Sequence, residues 1–175
     1  MNAIAADVGM VMKKLVFACL GAVLASGWPV SAPAATVGDA SACARGDSAV
    51  LVRVAGFKER RGTVRVQVYG ANPSDFLAKG RKLKRVDVPV TAARMEVCVD
   101  LPGPGDYAVA VRHDVDGNGK SGWSDGGGFS RNPHITLVNL KPRHRDVVIR
   151  VGNGVRPVDV LLNYRQGLSI GPVAS

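Results

Sequence analysis

The chain has 175 residues, which is enough for one ordinary domain and too few for two comfortable ones. Its formal net charge of +9 favours anionic partners. Nucleic acid is a poor fit, because single-strand binding needs aromatic side chains among the cations and only Phe76 lies near the main basic segment.

Residues 1–35 have the features of a secretory signal peptide. Two lysines precede an apolar run over residues 15–25, and small residues follow. That run is too short for a permanent anchor, so no membrane span is expected after cleavage. Translation could start at Met10 or Met12. We therefore predict a periplasmic or secreted protein of about 140 residues.

Signal removal takes away two lysines and one aspartate, which leaves a net charge of +8. The anionic partners of such an exported protein would be lipid headgroups, envelope polysaccharides or acidic proteins.

Three cysteines occur in the chain. Cys19 lies inside the predicted signal. Only four apolar residues separate it from Lys14, and Phe17 is bulky for a lipid-attachment site, so lipid attachment is not favoured. Cys43 and Cys98 remain as an even pair in an oxidising compartment, and we predict that they form a disulfide.

Residues 36–48 are predicted to be an irregular lead-in, and residues 165–175 a frayed tail. Between them, period-two alternation of β-branched residues predicts short strands. These are residues 49–57, 63–69, 86–90, 95–101, 107–113, 146–151 and 155–164. Residues 135–140 could be a short strand or a packed loop.

For several of these strands the sequence also predicts the pairing or the position in the sheet. The first two flank a five-residue polar turn and are predicted to pair as a hairpin. Pro89 favours an edge position for the third strand. Ala108 and Ala110 indicate that another element packs closely on one face of the strand over residues 107–113, which we expect to be central.

About seven short strands in one domain over residues 49–164 favour a single antiparallel β-sandwich. A small barrel is the alternative.

Two sequence elements resemble an uncharacterised family of exported bacterial proteins, the domain of unknown function 2141 family. The first is YAVAV at residues 107–111, continued by His113-Asp114 and by DGNGK at residues 116–120. The second is GGFSRN at residues 127–132, where the family pattern has an aromatic residue before the last glycine. Shorter similarities occur at residues 54–57, 62–66 and 76–77. The resemblance implies an immunoglobulin-like or transthyretin-like sandwich and implies no activity.

The loop after residue 113 matches a calcium loop of the D-x-D-x-N-G type. Its oxygens fall at positions one, three, five and twelve, and position seven would contribute its backbone carbonyl. The candidate ligands are Asp114, Asp116, Asn118, Lys120 and Asp125. Position eight is Ser121 where an apolar residue is usual, and Asp125 is shorter than the usual glutamate. The alternative is a structural turn, because Asp-Gly and Asn-Gly are good turn dipeptides.

Catalytic signatures are weak. The spacing of His113, His134 and His144 is not that of a zinc site, and no G-x-S-x-G element occurs. His113 and Asp114 are adjacent in a strand and should point to opposite faces. We therefore expect no enzyme activity and no cofactor other than possible calcium.

A basic segment offers a site for an anionic envelope component, although charged loops are more often simply solvated. Its cations are Lys79, Arg81, Lys82, Lys84 and Arg85. The sequence thus predicts an exported, non-enzymatic protein with a binding or structural role in the cell envelope. The alternative is a calcium-dependent adhesion or carbohydrate-binding module that uses the loop from Asp114 to Asp125.

Overall fold

The computed structural model describes residues 35–173, so the predicted signal peptide lies outside the described part of the chain. Within these residues the chain forms eleven strands and two short helices, with one 3₁₀ turn at Pro73–Asp75. The strands are β1 (Thr36–Gly38), β2 (Ala49–Ala55), β3 (Thr63–Tyr69), β4 (Lys84–Pro89), β5 (Arg94–Asp100), β6 (Gly105–Asp114), β7 (Gly126–Phe129), β8 (Val148–Val151), β9 (Val155–Leu161), β10 (Asn163–Gln166) and β11 (Ser169–Gly171). The helices are α1 (Ala40–Arg45) and α2 (His144–Val147). None of the described helices is long and apolar enough to cross a membrane.

The strands form two packed sheets, which confirms the predicted β-sandwich. The smaller sheet has the order β1-β5-β2-β9. The larger has the order β11-β10-β7-β6-β3-β4, with β8 paired to β6. The sandwich is not purely antiparallel as predicted, because β1 with β5 and β2 with β9 are parallel. Both pairs join segments far apart in sequence, and local alternation carries no information about their relative direction.

The main core lies between the sheets and is built largely from valine. Alternate valines of β2, β3 and β5 are fully buried there, on the faces that the alternation predicts. The opposite face of β6 is also covered, because Ala108 and Ala110 pack under Val147 and Phe76. The close packing expected from these small alanines is confirmed. Strand β6 is central, between β3 and β7, and β4 with Pro89 is an edge strand.

The predicted hairpin of the first two strands is wrong. Strand β2 pairs with β5 and β9 in the smaller sheet, whereas β3 pairs with β4 and β6 in the larger one. Residues 58–62 therefore cross from one sheet to the other. The valines of the two strands then face each other across the core. Apolar residues alternate along each strand in the same way in a hairpin, so the sequence pattern does not distinguish the two arrangements.

The lead-in is ordered rather than irregular. Strand β1 extends the smaller sheet, and α1 packs on the outer face of that sheet through buried Ala42. Cys43 of α1 and Cys98 of β5 form the predicted disulfide, with Cα atoms 6.1 Å apart. Short helices and strands of this kind depend on tertiary contacts, so local sequence signals miss them.

The C-terminal region also differs from prediction. Residues 155–164 divide into β9 and β10, which lie in different sheets, and buried Leu162 marks the crossing. Within the expected tail, residues 165–166 continue β10 and residues 169–171 form β11, so this part of the chain is not frayed. Residues 146–147 belong to α2, so the strand expected from residue 146 begins at Val148. Residues 135–140 form a loop with an isolated bridge between Thr136 and Asn139.

Candidate functional site: the loop after β6 and an adjoining cleft

Three of the predicted calcium ligands converge at the end of β6. Asp114, Asp116 and Asp125 each place a carboxylate oxygen within 4.8 Å of the others. Asn118 and Lys120 lie between them in the loop, where the side-chain oxygen of Asn118 accepts a hydrogen bond from the Lys120 amide at 2.7 Å. The structure thus brings together the acidic part of the predicted ligand set.

Asp114 is the buried member of this group, with 3% of its surface exposed. Its Oδ2 accepts hydrogen bonds from the Gly119 amide at 2.8 Å and from Arg112 Nη2 at 3.1 Å. Its Oδ1 has no hydrogen-bond partner within the described structure. A buried carboxylate oxygen without a donor is costly, so this atom requires an explanation.

Asp114 is held in its ionised form. Burial raises the pKa of its carboxyl, whereas the hydrogen bond from the Gly119 amide and the positive charge of Arg112 lower it. The pKa of Asp114 therefore lies below its ordinary value. This carboxylate remains negative at neutral pH.

Asp125 is positioned by the loop itself. Its Oδ1 accepts a hydrogen bond from the Val115 amide at 3.2 Å, and its Oδ2 accepts one from the Gly122 amide at 2.9 Å. These contacts hold the end of the loop against its beginning. Asp116 makes a similar local contact with the Asn118 amide at 3.1 Å.

A cleft of about 400 Å³ adjoins this loop. Asp125 lies in its wall, so the acidic cluster and the cleft share a residue. The rest of the lining is mainly apolar, with a few polar groups. The lining residues are Ser121, Gly122, Trp123, Asp125, Gly127, Phe129, Ile135, Leu137, Leu140, Asn163, Arg165 and Ile170.

Exposed apolar side chains are concentrated around this cleft. Among residues 35–173, seven large hydrophobic side chains are exposed, and five of them line the cleft or sit in turns between lining residues. We call these five the apolar rim. Its members are Trp123, Leu137, Val138, Leu140 and Leu168. Exposed apolar groups gathered at one place indicate an interaction surface.

The most unusual part of the rim is a tight turn. The Asn139 amide donates to the Thr136 carbonyl at 3.0 Å, so Leu137 and Val138 occupy the two central positions. Such positions normally carry glycine, proline, asparagine or aspartate. Val138 is 98% exposed. An apolar turn tip in water has no folding advantage, which points to a role in binding.

Cations accompany the rim. Lys120 and Lys141 are each next in sequence to a residue that lines the cleft, and Arg165 itself lines the cleft. None of the three is ion-paired within the described part of the chain. Arg165 stacks on the Trp123 ring, 3.5 Å from its centroid, and its Nε donates to the Gly167 carbonyl at 2.9 Å.

The GGFSRN element has a structural role. A Cβ on Gly128 would lie 2.6 Å from the Leu161 carbonyl, so glycine lets β7 approach β9. Ser130 is fully buried and donates to the Val147 carbonyl at 2.5 Å. The Asn132 side chain accepts from the Leu161 amide at 2.8 Å and donates to the Asp159 carbonyl at 3.1 Å, which covers part of the β9 edge.

Three of the five cations in the predicted basic segment are ion-paired within the described residues, and Asp87, the partner of Arg85, is shared with Arg65. Arg81 pairs with Asp75 at 2.6 Å, Lys84 with Asp100 at 3.4 Å, and Arg85 with Asp87 at 2.5 Å. Lys79 and Lys82 form no ion pair within residues 35–173. The segment therefore presents less free positive charge than its sequence indicates.

Within residues 35–173 the three histidines do not converge on a shared metal site. Among the described residues, the group of acidic side chains at the loop is the one convergent set of potential metal ligands. His113 is fully buried and contacts Tyr164 and the Arg61 carbonyl, whereas His144 contacts the Gly70 carbonyl. These two rings satisfy backbone and side-chain partners.

Sequence reasoning found the acidic loop and missed the apolar rim. The available signal was a run of large apolar residues between Pro133 and Lys141 without strand periodicity. Alternation could not show whether those side chains are packed or exposed.

The family model described as "Uncharacterized protein conserved in bacteria (DUF2141)" matches residues 52–159. This range covers the sandwich from β2 to β9, including both sequence elements that suggested the family. Neither the curated proteins nor the solved structures contain a match to the chain.

Proposed function

We propose that this chain, which belongs to the bacterial DUF2141 family, is an exported, non-enzymatic protein that docks on the anionic phospholipid surface of the cell envelope. The docking surface is the apolar rim together with Lys120, Lys141 and Arg165. The disulfide supports export, because such bonds persist in oxidising compartments. The proposed location is the periplasm or the extracellular side of the envelope.

The observation that carries this proposal is the apolar turn at residues 136–139. Leu137 and Val138 stand at its tip, where a water-exposed turn would have polar residues. Transfer of one such side chain from water to an apolar environment is favourable by about 1.5 to 3 kcal/mol. Trp123 and Leu140 beside the turn add further apolar surface.

Charge complementarity favours an anionic lipid surface. Lys120, Lys141 and Arg165 accompany the rim, and each cation near an anionic membrane contributes about 1 kcal/mol. The acidic cluster of Asp114, Asp116 and Asp125 opposes this attraction when its excess negative charge is not compensated. Apolar side chains flanked by basic residues are typical of proteins that lie on membrane surfaces.

The proposal of a non-enzymatic role is supported by the polar groups of the site. They are chiefly carboxylates held by the loop backbone, together with Asn163, Arg165 and Ser121. The cleft contains no histidine or cysteine among its lining residues. The Ser121 hydroxyl in this lining accepts a hydrogen bond from Arg112 Nη1 at 3.1 Å, so its described partner is a cation rather than a general base.

Vesicle co-sedimentation tests the proposal. The purified protein should sediment with vesicles of phosphatidylcholine and phosphatidylglycerol, and much less with phosphatidylcholine alone. Leu140→Ser should weaken binding by about tenfold, because it removes one inserted side chain. Leu83→Ser is the matched control, since Leu83 is 50% and Leu140 is 51% exposed, and Leu83 lies outside the rim. Equal losses for both variants, or no sedimentation at low salt, would contradict the proposal.

A charge-matched pair of variants locates the electrostatic contact. Lys120→Gln with Lys141→Gln should reduce binding and its salt dependence. Lys79→Gln with Lys82→Gln removes the same charge from the basic segment and should leave binding nearly unchanged. The reverse result would place the anionic contact on residues 79–85.

A carbohydrate-binding role is the second candidate function. It is favoured by the exposed indole of Trp123 near Asp125 and Asn163, since aromatic rings and amide or carboxylate groups suit a sugar ring. Calcium-dependent adhesion through the same loop belongs to this candidate. Retention on an envelope polysaccharide, with no vesicle binding, would favour it over lipid docking.

A further inference from the structure

The acidic cluster at the end of β6 has an electrostatic imbalance. Asp114, Asp116 and Asp125 bring three carboxylates within 4.8 Å of one another. Arg112 Nη2 contacts Asp114 at 3.1 Å and offsets one negative charge. The remaining excess of two negative charges equals the charge of one divalent cation.

A buried atom supplies independent evidence for a ligand. Asp114 is 3% exposed, and its Oδ1 receives no hydrogen bond although Oδ2 receives two. Structural carboxylates in protein interiors normally have all their oxygens satisfied. A bound cation would satisfy this oxygen and relieve the repulsion among the three carboxylates.

We propose that Asp114, Asp116 and Asp125 bind a calcium ion at the end of β6. An all-oxygen set selects hard cations, since zinc prefers histidine and cysteine. Calcium suits this site better than magnesium, because it accepts irregular geometry and gives up water more readily. This inference does not depend on lipid docking.

The loop backbone keeps the carboxylates in place. The Val115 and Gly122 amides bind Asp125 at 3.2 and 2.9 Å, and the Asn118 amide binds Asp116 at 3.1 Å. Asp116 is exposed, so water molecules would complete the coordination shell. A site with few protein ligands is weak, and we expect a dissociation constant of about 0.1 to 1 mM, typical of extracellular calcium modules.

Calorimetric titration of chelator-treated protein with calcium chloride tests the site. We expect saturable binding of one ion, a higher melting temperature in calcium than in chelator, and weaker binding of magnesium. Terbium should occupy the same site and show luminescence sensitised by Trp123, which lies in the same loop. No binding heat and identical melting temperatures at millimolar calcium would overturn the proposal.

Matched variants distinguish a specific site from general charge attraction. Asp116→Asn should lower calcium affinity about tenfold or more, and its exposed position leaves the fold intact. Asp106→Asn removes the same charge at the opposite end of β6, where Asp106 pairs with Arg150, and should leave affinity unchanged. Equal loss in the two variants, or full affinity in Asp116→Asn, would contradict the site. Asp114→Asn should likewise lower calcium affinity, with its melting curve in chelator as the check on folding, and full affinity in a folded variant would contradict the site.

Discussion

The hydroxyl of Tyr164 lies 2.6 Å from Nδ1 of His113 in the interior of the sandwich. The other ring nitrogen, Nε2, lies 2.7 Å from the Arg61 carbonyl, which can only accept. In the neutral ring, Nε2 therefore carries the proton and Nδ1 accepts from Tyr164. Because Tyr164 also accepts from the Lys58 amide at 3.2 Å, one network ties the crossing segment, residues 58–62, to β6 and β10.

Tyr164→Phe should lower the free energy of unfolding by about 1 to 3 kcal/mol. The change leaves the buried Nδ1 of His113 without its partner and removes the acceptor of the partly buried Lys58 amide. Tyr107→Phe is the control, because the Tyr107 hydroxyl donates to the Gly103 carbonyl in a partly exposed turn. Urea denaturation should show the larger loss for Tyr164→Phe, and equal losses would contradict the network.

Alkaline pH should destabilise the fold through Tyr164. Burial, together with the negative charges of Asp125 and Glu59, raises the pKa of Tyr164 to about 12 against the opposing hydrogen bond from Lys58. The unfolded phenol ionises near pH 10, so the stabilising contribution is complete below pH 10 and is lost as the pH rises toward 12. Stability should fall by roughly 1.4 kcal/mol per pH unit in this window from this group.

The Tyr164→Phe variant is the control for that titration. Its stability should fall less steeply above pH 10 than that of the unmodified protein, although Tyr69 and Tyr107 also have raised pKa values. Parallel slopes for the two proteins would show that Tyr164 does not control the alkaline transition.

Gly128→Ala should destabilise the protein by about 1 to 3 kcal/mol. The added methyl group would lie 2.6 Å from the Leu161 carbonyl and 2.7 Å from Val160 Cγ1, so β7 and β9 would have to separate. Gly152→Ala is the control, because its Cβ would meet no atom within 4 Å. Thermal denaturation should show a lower melting temperature for Gly128→Ala than for Gly152→Ala. Equal melting temperatures would contradict the close approach of β7 and β9.

Removal of the disulfide should cost about 4 kcal/mol, since the bond between Cys43 and Cys98 closes a segment with a sequence separation of 55. The double variant Cys43→Ala with Cys98→Ala should unfold at lower urea concentration than the oxidised protein. The unmodified protein in reductant should match the double variant. An unchanged midpoint in both samples would mean that β1 and α1 are held by packing alone.

Strand faces were predictable because side-chain alternation is a local property. Met95, Val97 and Val99 enter the core and Cys98 faces α1, as the period of two requires. Strand partners were not predictable in the same way. A short polar turn after β2 fits both a hairpin and a crossing between sheets, and the apolar residue Leu162 gave no sign that β9 ends and β10 begins in the other sheet.

The two parts of the candidate site differed in the same respect. Asp114, Asp116 and Asp125 belong to one short loop, so their spacing in the sequence was enough to predict that they converge. The apolar rim gathers residues from three separate segments, and its members resemble core residues until the fold shows them exposed. The charge of Arg81 and Lys84 was likewise overestimated, because their partners Asp75 and Asp100 are apparent only in the folded chain.

Trp123 fluorescence in the presence of vesicles tests lipid docking most directly. The chain has two tryptophans, and Trp28 lies in the predicted signal, so Trp123 would be the sole tryptophan after cleavage. Trp123 is 75% exposed and belongs to the apolar rim. Its emission should shift to the blue with phosphatidylglycerol-containing vesicles and be quenched by brominated lipid, and Val138→Asp should abolish both changes. An unchanged spectrum at low salt, with the protein folded, would contradict docking through the rim.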